Sequence, residues 1–386
     1  MREIKANLQR HLNTLCLDIG SKHIGSPANR EAATYIEEEF KKAGYPVERE
    51  EYPVTGWNFK SFSFWNLTRN CPVPGAVPCF FSQSVDVSGE LCWIPFDKID
   101  EPGDVKGKIC FLEYWTDGAN VKGRNDIAEN LEKLGAAAAI FISDTYTHTS
   151  FAASTKIQRS PFLKSLGTCA VAEEGAFFLA RHKTDTYQLK IVANTFDHMA
   201  ANIIAKSFAP GKNAVIGAHY DTAPLVQGAG DNISGTAMLI EVARLFKEKN
   251  NGWNLDFAAF DAEEYIPEDF PPGSKDYVMR RLDKKPEWFL NFDDFGLLIG
   301  GPAIRVGYPE RLPKLHSNRY PFLPYSGAGD DKTFHAQGIP TMWYIDRKPW
   351  GHLHTELDAI ESLDFVKMSE GVIDAVELLG QLVASC

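Results

Sequence analysis

The sequence lacks any apolar run long enough to cross a membrane. Runs such as AAAAIFI, at residues 136–142, fall well short of the roughly 18 residues that a bilayer requires. Residues 1–20 alternate charged and apolar positions, whereas a signal peptide needs an unbroken apolar stretch. As the sequence stands, we expect a soluble cytoplasmic protein with no membrane partner, or a secreted one if an N-terminal leader has been removed.

Several functional signatures are also missing. Forty Lys and Arg against 51 Asp and Glu leave a formal charge of −11, which repels phosphate backbones and disfavours a nucleic-acid binder. The chain has no G-x-S-x-G nucleophile elbow. Its glycine-rich segment GAGDNISG, at residues 228–235, has neither the third glycine of a dinucleotide fingerprint nor the lysine of a P-loop.

Cysteines are few and scattered. The sequence contains no C-x-x-C, and its cysteines are odd in number: Cys16, Cys71, Cys79, Cys92, Cys110, Cys169 and Cys386. The pattern indicates neither a thiolate zinc site nor a disulfide framework, so we expect reduced thiols.

The length predicts two folding units, because a single hydrophobic core stops growing at about 250 to 300 residues and the chain has 386. From about Gly56 to Asn194 the composition changes: Phe, Trp, Pro and Gly cluster, and short β-like runs appear. We expect a discontinuous catalytic domain at 1–56 and 196–386, with a β-rich domain inserted at 57–195. The inserted domain would either limit substrate access to the active site of the catalytic domain or serve as a stabilising appendage.

Outside the insert, strand-like and helical segments alternate. Helices are indicated by Ile4, Leu8, Leu12 and Leu15, and by Ser26 as an N-cap before Pro27. Further along the chain come AVIGAHYD, SGTAMLIEVARLFKEK, LDFAAFDAEE, WFLNFDDFG and a closing helix from about Phe365. Short apolar strands separated by amphipathic helices are typical of an α/β domain with a largely parallel sheet.

Acidic and histidine side chains stand where these strands end, which is where α/β sheets bind ligands. Each motif alone has a simpler interpretation as a polar strand end, a solvated face or a capped turn. Together, several converging carboxylates would repel one another unless cations neutralise them. Two histidines with carboxylates favour zinc over magnesium or calcium. The candidates are His219, Asp221, Asp231, Glu263, Glu264, Asp293, Asp294, His354 and Asp358.

The chain resembles the co-catalytic zinc aminopeptidase family (clan MH), which also contains glutamate carboxypeptidase and glutaminyl cyclase. The resemblance rests on HIGSPANREAATYIEEEFKKAGYPVE, AVIGAHYDT, GAGDNISG, FDAEE, LNFDDFG, GDDKTFHAQGIP and HTELD, in the family's order. It implies a mostly parallel mixed sheet covered by helices on both faces. DVKGKICFLEY and the LGAAAAIFISD run make the insert resemble a protease-associated domain.

The resemblance also implies residue roles. Asp221 would orient a histidine ligand, and Glu263 would be the general base that acts on a metal-bridged water. Because neighbouring residues of a strand face opposite ways, we predict a bend beside Glu263 and Glu264. The metal ligands would be His219 and Asp293 for one zinc, Glu264 and His354 for the other, and Asp231 as the bridge.

Two departures from the family pattern are visible. Leu353 stands where the family often has a tyrosine that helps to stabilise the oxyanion, with His352 one residue earlier. The segment between Glu264 and Gly273 is longer than usual and contains three prolines. His335 also lies near a matched motif, although a lone histidine is usually a packing residue.

We expect a metallo-exopeptidase that carries two Zn²⁺ per chain, with cobalt or manganese as substitutes, and hydrolyses peptides. The alternatives are a one-zinc glutaminyl cyclase, a carboxypeptidase or dipeptidase, and a non-catalytic binding scaffold. The oligomeric state stays open.

An aminopeptidase is favoured because a carboxypeptidase needs a basic residue for the substrate's carboxylate. Residues 214–241, 255–270 and 288–304 contain no Lys or Arg, and Lys332 and Arg347 are the nearest basic candidates. Candidates for an apolar substrate pocket, each equally consistent with a core position, are Phe292, Phe295, Met342, Trp343 and Tyr344.

Overall fold

A computed structural model describes residues 1–113, 121–142, 163–249, 251–265, 270–347 and 353–384. The chain divides into two compact units. Unit 1 comprises Met1–Val54, His198–Leu353 and Leu357–Cys386. Unit 2 comprises Thr55–Asp197 together with the short stretch His354–Glu356.

The strands and helices are numbered along the chain. The strands are β1 Val47–Asn66, β2 Cys71–Pro72, β3 Ala76–Pro78, β4 Val85–Ile94, β5 Ile109–Leu112, β6 Ala138–Ile142, β7 Gly167–Val171, β8 Thr186–Lys206, β9 Asn213–His219, β10 Asn254–Phe260, β11 Phe289–Phe292, β12 Gly301–Gly307, β13 Phe322–Pro324 and β14 Thr341–Arg347. The α-helices are α1 Arg2–Leu12, α2 Pro27–Lys42, α3 Val121–Lys133, α4 Glu173–Arg181, α5 Ser234–Phe246, α6 Pro272–Met279, α7 Asp330–Ala336 and α8 Phe365–Ala384.

The sheet of unit 1 has the strand order β13-β12-β14-β11-β9-β10-β8. Strands β14, β11, β9 and β10 run parallel to one another, whereas β12 is antiparallel to β14 and β8 is antiparallel to β10. The centre of this sheet is therefore parallel and its flanks are antiparallel. This confirms the expected mostly parallel mixed sheet.

Helices cover both faces of this sheet. Alternate residues of β9 belong to different cores: Ile216 packs in a core with α1, α2, α5 and α8, while Val215 packs in a core with α6 and α7. Successive side chains of a strand point to opposite faces, so a strand that is buried on both sides must be apolar at consecutive positions. Burial on both faces of the sheet therefore explains why the strands are short continuous apolar runs in the sequence.

The N-terminal helices follow their sequence signals. Ser26 accepts a hydrogen bond from the Asn29 N–H, and Pro27 occupies the first turn of α2, as predicted. The chain after α1 continues through a π-helical turn, Asn13–Ile19, that carries the buried Leu15. No helix in the described ranges is both long enough and apolar enough to span a membrane.

In unit 2, strands β4, β5, β6 and β7 form a parallel ladder, and β3 is antiparallel to β7. Strand β4 also pairs with the first half of β8, through residues 186–191. One hydrophobic core of this unit contains Cys110, Leu131 and Phe141. The long strands β1 and β8 carry the chain between the two units.

The buried carboxylate of Glu241 on α5 accepts hydrogen bonds from both α5 and α1. Arg244 donates two hydrogen bonds of 2.9 and 2.8 Å to its carboxylate, and Asn7 donates another of 3.2 Å. Burial alone would raise the pKa of Glu241, but hydrogen bonds from His11, Arg244 and Asn7 outweigh burial and lower it to about 2. Ionised Glu241 therefore stabilises the fold above its ordinary pKa, and that stability is lost as the pH falls towards 2.

We predict that Glu241→Gln lowers the free energy of unfolding at pH 7 by about 1.5 to 3 kcal/mol, because a charged acceptor is lost. The difference from the wild type should shrink as the pH falls below about 4.5, where the unfolded carboxylate takes up its proton. Urea unfolding at pH 7, 5 and 3 measures this difference in the free energy of unfolding. Glu248→Gln is the control, since Glu248 is exposed. A difference independent of pH would contradict the assignment.

Candidate metal centre

The carboxyl ends of three neighbouring parallel strands place polar side chains at one edge of the sheet. Strand β9 ends at His219, and β11 ends at Phe292, directly before Asp293. Strand β10 ends at Phe260, three residues before Glu263. Because these strands are parallel and adjacent, the side chains that follow them meet at the same edge.

His219 faces a ring of acidic oxygens. Its Nε2 lies 3.1 Å from Asp231 Oδ1, 3.4 Å from Asp293 Oδ1 and 4.0 Å from Glu263 Oε2. All four side chains are buried. His219, Asp231 and Asp293 each offer a ligand atom within 4.8 Å of the others, so this group can hold a metal ion.

A second group shares one member with the first. Asp231, Glu264 and His354 each offer a ligand atom, again within 4.8 Å of one another. The structure thus brings all five of the predicted ligands into two groups, and Asp231 belongs to both. Asp294, the neighbour of Asp293, belongs to neither group.

The electrostatics of this edge favour a bound cation. Burial alone would lower the pKa of His219, but Asp293, Asp221 and Asp231 outweigh burial and raise it well above its ordinary value. Burial, reinforced by Asp231, raises the pKa of both Asp293 and Asp294 above the ordinary value. Imidazole nitrogens and carboxylate oxygens that crowd together form a donor set that suits zinc.

Asp221 holds two parts of this edge together. Its Oδ1 lies 3.4 Å from His219 Nδ1 and accepts a 2.9 Å hydrogen bond from the Glu263 N–H. Its Oδ2 accepts a 3.1 Å hydrogen bond from the Glu264 N–H. Asp221 lies two residues beyond His219, where β9 ends. The backbone amides that Asp221 binds are the physical reason for its position.

The expected bend after β10 is present. Ala262 has a φ of +61°, so the chain leaves the extended conformation just before Glu263. The buried carboxylate of Asp261 accepts a 2.8 Å hydrogen bond from Asn29 and a 2.9 Å bond from the Ala262 N–H. Burial and nearby Asp221 raise the pKa of Asp261 to about 7. This turn interrupts the alternation of a regular strand just before Glu263 and Glu264, of which only Glu264 belongs to a metal-binding group.

Asp231 lies on an irregular loop that Asp358 fixes. The Asp358 carboxylate accepts hydrogen bonds of 2.6 Å from the Gly230 N–H and 3.3 Å from the Asp231 N–H, and its backbone carbonyl accepts one of 3.3 Å from the Ala229 N–H. On the other side, Asn232 donates a 2.8 Å bond to the Phe292 carbonyl. Asp231 is thus held on one side through its own N–H and on the other through the side chain of the next residue.

The loop before α7 approaches the same edge closely. Gly329 has a φ of +69°, and a Cβ at this position would lie 3.0 Å from Glu263 Oε1 and 3.1 Å from Asp293 Oδ2. Both the conformation and the space favour glycine.

Lys22 lies near the site and was not among the residues predicted from the sequence. Its buried ammonium donates hydrogen bonds of 3.0, 2.6 and 3.1 Å to the carbonyls of Leu15, Gly20 and Gln227. Burial lowers its pKa to about 8, although Asp358 and Asp221 oppose the change. All three donors serve backbone carbonyls, which fastens the N-terminal segment to the loop that leads to Asp231.

Other candidates lie elsewhere. His335 stacks between Tyr308 and Tyr325, with ring centroids 4.3 and 3.8 Å away, and it belongs to neither metal-binding group. His352 and residues 266–269 lie outside the described residues. The five apolar pocket candidates are core residues, each at most 3% exposed: Phe292, Phe295, Met342, Trp343 and Tyr344.

The edge of this sheet thus carries two groups of potential metal ligands that share Asp231. The fold is similar to that of BSAP, described as a zinc aminopeptidase from Bacillus subtilis, with a TM-score of 0.77 and 20% sequence identity over 98% of this chain and 94% of that one. Residues 202–371 match peptidase family M28. This match agrees with the resemblance of the motifs.

Two curated relatives have similar sequences. "Aminopeptidase YwaD" from Bacillus subtilis (strain 168) is 26% identical over 306 residues, 70% of this chain and 61% of the relative. "Probable lipoprotein aminopeptidase LpqL" from Mycobacterium tuberculosis (strain ATCC 25618 / H37Rv) is 26% identical over 336 residues, 82% of this chain and 63% of the relative. The chain therefore spans less than two thirds of the length of these relatives.

We predict that Asp358→Asn weakens metal binding by about 10- to 100-fold, because an amide nitrogen would face a backbone N–H and loosen the Asp231 loop. Competition with a chromophoric zinc chelator gives the dissociation constants without any activity assay. Asp374→Asn is the matched control, since Asp374 is equally buried but bonds to Tyr344 and Ser317 instead. Equal affinities for Asp358→Asn and the wild type would show that Asp358 does not position Asp231.

Proposed function

We propose that the protein is a zinc-dependent aminopeptidase that holds two Zn²⁺ per chain and removes N-terminal residues from peptides. The observation that carries this proposal is the membership of Asp231 in both groups of ligand atoms. A carboxylate has two oxygens, so a residue shared by two groups is suited to bridge two ions. The aminopeptidase relatives and the family match support the same activity.

Each ion would have one histidine, one carboxylate of its own and the shared Asp231. His219 and Asp293 would hold one zinc, and Glu264 and His354 the other, with cobalt or manganese as substitutes. When bound, zinc supplies a Lewis acid for the scissile carbonyl and lowers the pKa of water from about 15.7 towards 7.

Glu263 is suited to move the proton. It belongs to neither ligand group, yet its Oε2 lies 4.0 Å from His219 Nε2, and Asp221 anchors its backbone N–H. In the proposed reaction Glu263 takes a proton from the attacking water and passes it to the leaving amine. General acid–base catalysis of this kind typically contributes about 10² to 10⁴ in rate.

The charges around the site favour a substrate with a free N-terminal amine. Lys332 and Arg347, the nearest basic candidates in the sequence, are both exposed; Lys332 lies over the Phe270 ring and Arg347 donates to the Gly301 carbonyl. Lys22 is buried and uses its donors on backbone carbonyls. Acidic Asp294 and Glu263 are suited to receive an ammonium group, whereas a terminal carboxylate would be repelled.

We also propose that residues 57–195 are an inserted domain of the protease-associated type. The compactness of Thr55–Asp197 as part of unit 2 supports a separate folding unit there. Its parallel ladder of β4 to β7 with α3 and α4 is consistent with a module built around its own core.

Glu263→Gln should lower kcat by about 10² to 10⁴, because the amide cannot accept the proton from water. Metal content should stay at the wild-type value, since Glu263 is not a proposed ligand. Peptide hydrolysis and elemental analysis of the same preparation measure the two quantities, with the exposed Glu90→Gln as control. A fully active Gln variant would remove Glu263 from the mechanism.

Metal stoichiometry separates the two-zinc proposal from its alternatives. We expect two zinc ions per chain by elemental analysis after dialysis, and one after His354→Ala. One zinc in the wild type would favour a glutaminyl cyclase. Two zincs with no turnover of any peptide would favour a binding scaffold.

The substrate end can be tested with matched peptides. The zinc-loaded protein should shorten a peptide with a free N-terminus from that end and leave its N-acetylated counterpart intact, as followed by mass spectrometry. Equal cleavage of both peptides, or trimming from the C-terminus, would favour a carboxypeptidase or dipeptidase.

A further inference from the structure

Two cysteines face each other on neighbouring strands of unit 2. Cys92 lies on β4 and Cys110 on β5, and the parallel ladder pairs these two residues directly. Paired strands lie about 4.8 Å apart, and a disulfide requires Cα atoms about 4.4 to 6.8 Å apart. The backbone therefore already has the spacing of a disulfide.

Their side chains also point the same way. Cys110 is a buried member of the core of unit 2, and Cys92 packs against that same core. The two thiols are close enough to hydrogen-bond, and both are free.

A second pair of cysteines in the same unit provides a contrast. Cys169 on β7 pairs with Pro78 on β3, so Cys79 occupies the next position along the chain. Cys79 and Cys169 are both fully buried, so they serve as an internal control.

The two facing thiols differ in accessibility. Cys92 is half-buried, whereas Cys110 is 0% exposed. Burial, reinforced by the neighbouring Cys92, raises the pKa of the Cys110 thiol to about 12. Cys92 is therefore the sulfur that an incoming reagent meets first, because thiol exchange depends on access and on the thiolate.

We propose that Cys92 and Cys110 are a redox modification site that closes to a reversible cross-strand disulfide by exchange with small-molecule disulfides. The Cys92 thiolate attacks one sulfur of the reagent, forming a mixed disulfide and releasing one thiolate. The Cys110 sulfur then attacks the Cys92 sulfur and releases the second thiolate, which takes up the Cys110 proton. Two electrons pass from the cysteines to the reagent, which leaves as two thiols.

The bond would tie β4 to β5 and close the loop at residues 93–109. Closing a loop restricts the unfolded chain, so oxidation should raise the midpoint of thermal unfolding. The inference is independent of the proposed peptidase activity, because it concerns unit 2 alone.

The test uses the full-length chain with oxidised glutathione, followed by alkylation of the remaining thiols and peptide mapping without reduction. We expect a peptide pair linked through Cys92 and Cys110, a mass lower by two hydrogen atoms, and full reversal by dithiothreitol. No link should form between Cys79 and Cys169.

Single variants separate the two steps. Cys110→Ala should stop at a glutathione adduct on Cys92, and Cys92→Ser should leave Cys110 unmodified. Cys71→Ser is the matched control, since Cys71 is also half-buried but pairs with Asn66, and it should form the link as the wild type does. A stable glutathione adduct on wild-type Cys92 without the link, or no modification of either cysteine, would overturn the proposal.

Discussion

The structure around the site depends on the crowding of buried carboxylates at the carboxyl edge of one parallel sheet. Asp231, Asp293 and Glu263 all lie within 4.0 Å of a single histidine nitrogen. Such a cluster is costly to desolvate, and a cation is the physical means of compensating that cost. The proposed metal binding follows from this constraint, and so does the need to hold each acid in place.

Other acids at this edge serve as acceptors for backbone amides. Asp221 binds the N–H groups of Glu263 and Glu264, and Asp358 binds those of Gly230 and Asp231. Carboxylates that accept several N–H bonds fix loops that have no regular secondary structure of their own. The irregular segments of the site thereby gain a rigidity that strands and helices provide elsewhere.

Much of this arrangement could be predicted from the sequence, because strand ends and helix caps are local signals. His219 and Asp293 follow apolar runs, and Ser26 begins a helix before a proline. Asp358 was a candidate from its motif and Lys22 was not, and the partners of both could not be predicted because they are backbone groups of distant loops. The pairing of Cys92 with Cys110 depends on strand order and register, which a single sequence does not reveal.

The double membership of Asp231 has a thermodynamic consequence. If two ions draw on one carboxylate, the first ion changes the charge and orientation of the group that the second must use. The resulting coupling free energy is the same whichever ion binds first. Under the two-zinc proposal, the affinity of each group for its ion would therefore depend on whether the other group is occupied.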